Sequence, residues 1–214
     1  MVDKDAVRRS YDELTDAYAA QRTEDGRDAA LLTTFLDSLP DSPRVLDAGC
    51  GRGTPVLSRA SAKGDAVGLD FSRGQLRAAA ENAPGASLVR GDMAALPFAD
   101  DAFDAVVAYW SLIHLPADEH PAVLDEFARV LRPGGRVLLS EGTTAWDGEN
   151  PDWLDTGVPM EWSIAGAAAT REHLREAGFA VVDEWGTRSS LKADRAEEAE
   201  DRTPWTFFAA RLES

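Results

Sequence analysis

The sequence predicts an α/β fold, a doubly wound parallel sheet with helices on both faces. Three observations predict it. Val45-Leu46-Asp47-Ala48-Gly49-Cys50-Gly51-Arg52-Gly53 is an apolar strand, an Asp and a glycine-rich loop ahead of a helical pattern, which describes the first βα turn of such a sheet. Strand-like and helix-like segments alternate from Arg44 onward, the rhythm of βαβ units. Runs such as Ala105-Val106-Val107-Ala108 lack polar alternation, as strands buried on both faces do.

The elements follow in order. Residues 3–22 read as one amphipathic helix, with Val7, Tyr11, Leu14 and Tyr18 at three- and four-residue spacings. A second helix runs from Asp28 to Leu39 and stops at Pro40-Asp41-Ser42-Pro43. These residues, 1–40, are expected to form a helical cap. A core of residues 41–142 follows. Its first strand is Arg44–Ala48, with a helix over Thr54–Ala62. The second strand is Ala66–Asp70, followed by a helix over Arg73–Asn82, and the third is Ser87–Arg90. The fourth is Phe103–Tyr109, with a helix near Ala117–Leu131. Pro133-Gly134-Gly135 reads as a turn before the fifth strand, Arg136–Glu141. Residues 143–214 read as an irregular Trp-rich stretch over 143–165, a helix at Ala168–Ala177, a sixth strand at Phe179–Trp185, a polar run over 186–203 and a seventh strand at Trp205–Arg211. No crossover helix is evident between the last two strands, so they are expected to form an antiparallel edge hairpin. Trp185 and Trp205 are expected in the core.

At 214 residues the chain is expected to be one domain. Its net charge of −16 argues against nucleic acid or an anionic membrane as partner, since both need basic surface. Lysine is confined to Lys4, Lys63 and Lys192. That acid-rich, Lys-poor balance resembles proteins of salt-loving organisms; a GC-rich genome is the alternative. No apolar run approaches the ~20 residues of a membrane span. The first residues lack signal-peptide character, and Cys50 is the only cysteine. A cytoplasmic location is the expectation, with the protein a monomer or homodimer. Cys50 reads as loop filler. His114, His120 and His173 show no metal-ligand spacing, so no metal is expected.

The glycine loop fits a dinucleotide fingerprint only in part. Gly49 and Gly51 occupy its first two positions, but Thr54 stands at the third. Asp70 closes the second strand, where a carboxylate can accept both hydroxyls of a ribose. Together with this loop, three further segments carry a family resemblance: Gly68-Leu69-Asp70-Phe71-Ser72, Gly91-Asp92-Met93-Ala94-Ala95-Leu96-Pro97-Phe98, and Phe103–Leu115 with Leu131-Arg132-Pro133-Gly134-Gly135. Over residues 41–142 the chain resembles the class I S-adenosylmethionine-dependent methyltransferases, in the branch acting mostly on small molecules. The resemblance implies a Rossmann-like seven-stranded sheet in the order 3-2-1-4-5-7-6 with strand seven antiparallel. It also implies S-adenosylmethionine as cofactor, S-adenosylhomocysteine as product and a small-molecule methyl acceptor.

The same resemblance implies a set of cofactor residues. The backbone of Ala48, Gly49 and Gly51 would approach the amino-acid part of the cofactor. Asp47 would orient that loop or bond the ammonium through water. Asp70 would take the ribose hydroxyls, since a negative acceptor suits two donors. Phe71 would lie on the adenine. Asp92 would accept its exocyclic amine, with the Met93 amide near the ring. Tyr11 and Tyr18, seven apart, face the same way on a helix and would form a lid. Arg22 would pair with the cofactor carboxylate, and Tyr109 and Trp110 would shape the pocket.

Transfer from an activated sulfonium needs mainly proximity and in-line orientation, with a base where the acceptor is a hydroxyl or ammonium. His114, just past the fourth strand, is the leading base candidate. Glu141, at the end of the fifth, is the second. Trp146, Trp153, Met160 and Trp162 suit an apolar or planar acceptor, a satellite cluster or a subunit contact. Two alternatives stand beside this reading: an NAD(P)-dependent oxidoreductase, and a non-catalytic protein that binds S-adenosylmethionine.

Overall fold

The computed structural model describes residues 2–23, 26–192 and 203–213. Three helices come first: α1 (Lys4–Glu13), α2 (Thr15–Gln21) and α3 (Arg27–Asp37). The single helix expected over residues 3–22 is thus two. The chain breaks at Leu14 (φ −91°, ψ 6°), whose side chain is buried. The break lets the two short helices wrap around the mouth of the sheet.

The sheet then builds through β1 (Arg44–Ala48), α4 (Val56–Ser61), β2 (Asp65–Asp70), α5 (Arg73–Asn82), β3 (Ser87–Arg90), β4 (Phe103–Ala108), α6 (His120–Val130) and β5 (Leu131–Gly142). A hairpin of β6 (Trp146–Asn150) and β7 (Met160–Ile164) follows, then α7 (Ala167–Glu176), β8 (Phe179–Thr187) and β9 (Trp205–Leu212). The seven-stranded order is β3-β2-β1-β4-β5-β9-β8. With the β6–β7 hairpin set apart, this is the order 3-2-1-4-5-7-6. Strands β1 to β5 pair in parallel, and β9 runs antiparallel to both neighbours.

β5 begins five residues earlier than expected. Leu131 already pairs with Phe103, and the Pro133-Gly134-Gly135 segment is taken up in the register shift before Ala105 pairs with Arg136. The stretch 143–165, expected to be irregular, holds the antiparallel β6–β7 hairpin, which pairs Trp146 with Ile164 and Asn150 with Met160.

Alternate residues of the central strands enter opposite layers. Leu46, Val106 and Phe208 pack with Phe127 of α6 and Leu174 of α7. Val45, Val107 and Phe207 pack with Leu32 and Phe35 of α3 and with Leu57 of α4. Trp185 and Trp205, expected in the core, are half-buried at the edge of this second layer. A third cluster joins Val7, Tyr11 and Leu14 to Trp153 and Met160. It seats α1 on the hairpin region and so fixes the roof of the site. No described helix is long and apolar enough to cross a membrane.

Candidate active site at the carboxyl ends of the strands

The β1–α4 loop turns on Gly49, whose φ of +79° is open to glycine. A Cβ there would come within 2.3 Å of Ser111 Cβ, so the tight turn and the close approach of Ser111, just past β4, both require Gly. The Gly49 and Cys50 amides donate to the Leu69 carbonyl at 2.8 and 3.0 Å. This ties the loop to β2 and brings the Gly51 amide to Asp70 Oδ2 at 2.8 Å. Asp70 Oδ1 accepts the Ser72 amide at 2.8 Å. Each carboxylate oxygen therefore takes one backbone donor and keeps capacity for another. Burial lifts the Asp70 pKa to about 6, against the pull of these amides. Asp47 is also buried and raised well above the usual carboxylate range, by burial and then by the Asp70 charge, with the Leu57 amide hydrogen bond opposing.

These groups open on a narrow enclosed cavity of about 70 Å³. Gly49 and Gly51 form its floor, and Asp70, Phe71, Asp92 and Met93 one end. Tyr11 and Tyr18 cover it, while Tyr109, Trp110, Ser111 and His114 close the far wall. A small side chamber of about 40 Å³ shares Tyr18, Gly49, Gly51 and Tyr109 and adds Arg22 and Asp47. A larger cavity of about 480 Å³ shares Tyr11, Tyr18, Trp110 and His114. Those four residues form the partition between the first cavity and the larger one.

His114 sits in that partition on a 3₁₀ turn, Leu112–His114. Its Nδ1 lies 3.2 Å from the Glu161 carbonyl of β7, and its Nε2 lies 2.8 Å from the Tyr11 hydroxyl. A carbonyl can only accept, so the neutral ring carries its proton on Nδ1 and Nε2 accepts from Tyr11. Burial pushes the His114 pKa down to about 4, with the Glu161 carbonyl opposing; the ring is a neutral acceptor at physiological pH. Burial also raises the Tyr11 phenol well above its usual range. Trp110, between β4 and this turn, has φ +56°, a conformation that costs a bulky residue free energy. Its amide is held by Ser140 Oγ at 2.7 Å.

Most sequence-predicted residues converge here, and four differ from expectation. Glu141 does not line these cavities. It is fully buried, with Oε1 accepting the Gly142 amide at 2.8 Å and Oε2 3.4 Å from His120 Nδ1. His120 Nε2 faces the Leu115 carbonyl at 3.3 Å and must donate there. Glu141 thus faces α6 in the core, with Oε2 and His120 Nδ1 buried and without a hydrogen-bond partner. Ala48 is wholly buried, and its carbonyl accepts Ser111 Oγ at 2.8 Å. Asp92 reaches the cavity, but its oxygens already take Lys4 Nζ at 2.7 Å and the Ala94 amide at 2.9 Å. Arg22 faces both the side chamber and the larger cavity, donates to Ser190 Oγ, and lies 5.6 Å from the centroids of the Tyr18 and Trp110 rings.

Ser111, expected with Tyr109 and Trp110 to face the transferred methyl from the end of the fourth strand, lines the cavity; Gln75, which sequence reasoning did not single out, lines it too. Gln75 had a signal. It stands three after Ser72 in a capping-box pattern, and its amide donates to Ser72 Oγ at 3.1 Å. Its side chain departs from that box and donates to the Tyr11 carbonyl at 3.3 Å, leaving Oε1 buried and unpartnered.

A family profile described as a methyltransferase domain matches residues 45–135. A protein of Encephalitozoon cuniculi named as a methyltransferase is 31% identical over 204 residues, covering 87% of this chain and 93% of that one. The chain belongs to the class I S-adenosylmethionine-dependent methyltransferases. A demethylmenaquinone methyltransferase of Renibacterium salmoninarum is 36% identical over 137 residues, covering 64% of this chain and 56% of that protein. The chain thus spans little more than half the length of that relative. The solved structure of the [4+2]-cyclase SpnF superposes with a TM-score of 0.72 at 25% identity, covering 97% of this chain and 95% of the other. Membership sets aside the NAD(P)-dependent oxidoreductase reading. Among the described residues, no group of three or more His, Cys, Asp or Glu is placed to hold a metal ion.

Proposed function

We propose that this family member transfers the methyl group of S-adenosylmethionine to a small-molecule acceptor by in-line displacement. One observation carries the reading. The glycine loop and the two-sided Asp70 carboxylate occupy one side of a roofed cavity, and a neutral His114 with Nε2 as acceptor occupies the other. The residues fit the cofactor on structural grounds. Asp70 keeps acceptor capacity for two ribose hydroxyls, and Gly49 leaves no Cβ over the floor. The side chamber offers Asp47 to an ammonium and Arg22 to a carboxylate. Phe71 and Met93 flank the adenine end, with Asp92 held there by Lys4.

The cofactor supplies an activated methyl on a sulfonium. The chain positions and excludes water: Tyr11 and Tyr18 roof the site, and Tyr109 is pinned by its hydroxyl to the Asp28 carbonyl at 3.1 Å. For a hydroxyl acceptor, His114 Nε2 takes the proton as the carbon–oxygen bond forms. His114 would hold that proton at Nε2, with Nδ1 still donating to the Glu161 carbonyl. Residues 1–40 act as cap, 41–142 as cofactor core and 143–214 as acceptor side.

Asp70→Ala is expected to weaken S-adenosylhomocysteine binding by about 1.5–3 kcal/mol, the scale of hydrogen bonds to a charged group. Unchanged affinity by calorimetry would remove the ribose role. A second reading, a cofactor-binding protein performing other chemistry, is favoured by the likeness to a [4+2]-cyclase. A panel of acceptors assayed for S-adenosylhomocysteine release separates the two, because only methyl transfer yields that product.

A further inference from the structure

The larger cavity beyond the Tyr11–His114 bond has a composition the cofactor does not need. It is lined by five of the chain's six tryptophans, Trp110, Trp146, Trp153, Trp162 and Trp205. Resting on the methyltransferase reading above, we infer that this cavity is the acceptor site and that it takes an uncharged, flat, multi-ring phenol, whose hydroxyl replaces that of Tyr11 on His114 Nε2.

Shape comes first. The rings of His114 and Trp162 lie 6.2 Å apart and tilted by 41°, and those of Trp162 and Trp146 lie 6.2 Å apart and tilted by 38°. This aromatic wall runs from the proton acceptor to Trp146, which is 50% exposed. Two successive ring spacings suit an acceptor longer than one ring, entering past Trp146 with its hydroxyl leading.

Charge comes second. An aromatic cage alone would also suit a cationic amine. Here the protein's own cation, Arg22, already lies over the Tyr18 and Trp110 faces, and a bound sulfonium would add a second positive charge beside it. An ammonium acceptor is repelled by both. The carboxylate that lines this cavity, Glu149, is exposed and therefore screened.

Polarity comes third. The structure already places a phenol hydroxyl at 2.8 Å from His114 Nε2, that of Tyr11, so the geometry accepts an acceptor phenol at that point. Trp110 lines both cavities. In the transfer step the phenol oxygen forms a bond to the methyl carbon and the carbon–sulfur bond breaks with its electron pair to sulfur. The phenol proton passes to His114 Nε2 and thence to solvent.

The test is equilibrium dialysis of the full chain with 1-naphthol, phenol and (1-naphthyl)trimethylammonium, with and without S-adenosylhomocysteine. 1-Naphthol is expected to bind at least tenfold more tightly than either of the others. Trp162→Ala and the half-exposed Trp146→Ala are expected to weaken naphthol by tenfold and threefold or more, with S-adenosylhomocysteine affinity unchanged as the control for folding. Tyr11→Phe is expected to tighten naphthol several-fold by removing the competing hydroxyl. Equal or tighter binding of the cation, equal binding of phenol, or indifference of naphthol to both tryptophan substitutions overturns the inference. Failure of S-adenosylhomocysteine to bind overturns the methyltransferase reading. Its binding without naphthol binding overturns only the acceptor assignment.

Discussion

Asp70 and His114 line one cavity and titrate in opposite senses. The Asp70 pKa in the fold, about 6, lies above its ordinary 3.8. The native state therefore holds that proton more tightly, and Asp70 costs stability above pH 6, a cost that fades as pH falls toward 4. The His114 pKa in the fold, about 4, lies below its ordinary 6.5. Its contribution is complete above pH 6.5 and is lost as pH falls toward 4. Each effect is roughly 3 kcal/mol at full extent, so between pH 4 and 6.5 they largely offset. Urea melts across that window should show His114→Asn gaining stability on acidification and Asp70→Asn losing it; parallel pH profiles for both variants would contradict this. Ribose hydroxyls need the ionised form of Asp70, so S-adenosylhomocysteine affinity is expected to fall about tenfold per pH unit below pH 6. With a hydroxyl acceptor, His114→Asn should lower turnover about 10²-fold or more while leaving that affinity in place. The place of both residues at one cavity was legible in the sequence: Asp70 by its position at a strand end, His114 by its distance past one. Glu141 has the same address, the end of a central strand, yet turns into the core to meet His120. Side-chain direction at a strand end depends on neighbours from α6 that one-dimensional spacing does not reveal.

At the scale of elements, the roof is held by polar clasps as well as by packing. Lys4 Nζ of α1 bridges Asp92 at 2.7 Å and Glu119 at 2.6 Å. Asp12 Oδ1 accepts the Ser72 hydroxyl at 2.7 Å and the Gly74 amide at 2.9 Å, at the first turn of α5. Asp12→Ala should cost about 1 kcal/mol, the usual scale of a lost helix-start partner, read as a lower melting temperature. Lys4→Ala should change stability little, since its ion pairs are about a third exposed. It should still speed S-adenosylhomocysteine release, and an unchanged dissociation rate would show that α1 does not gate the cleft. The β6–β7 hairpin escaped the sequence reading for a physical reason. Trp146-Asp147-Gly148-Glu149-Asn150 carries a polar, Gly-containing pattern, and all but Gly148 are exposed; only pairing to β7 and the Trp146–Trp162 contact make it a strand. The break at Leu14 was hidden because Leu is a good helix former and the apolar spacing continues across it.

At the scale of the whole molecule, the parallel sheet was legible because both of its faces are covered. Val45 and Leu46, or Val106 and Val107, enter different layers yet are all apolar, and no alternation survives to mimic a surface strand. The two layers meet the sheet at Phe207 and Phe208 of β9, both fully buried. Phe208→Ala should cost about 3–5 kcal/mol, measured by denaturant melts with unchanged slope. The net charge of −16 acts over the entire surface as self-repulsion. Raising ionic strength from about 0.01 to 1 M shortens the screening length from roughly 30 to 3 Å and is expected to raise the melting temperature by several degrees. A flat or falling trend in potassium chloride would show that local ion pairs outweigh the net charge.

The Asp12 clasp has a consequence for anyone who trims or swaps the front of this chain. α5 borrows a first-turn partner from a helix some sixty residues earlier, and α5 follows directly on the strand that carries Asp70. The roof is therefore not an accessory that can be deleted to expose an intact cleft: lifting it takes a partner from the Ser72 hydroxyl and the Gly74 amide at the start of α5. By reciprocity, whatever tightens that floor also holds the roof down. A homologous front segment grafted onto this core would carry over its tyrosines but seat less firmly, unless it brought a carboxylate to the same helix start.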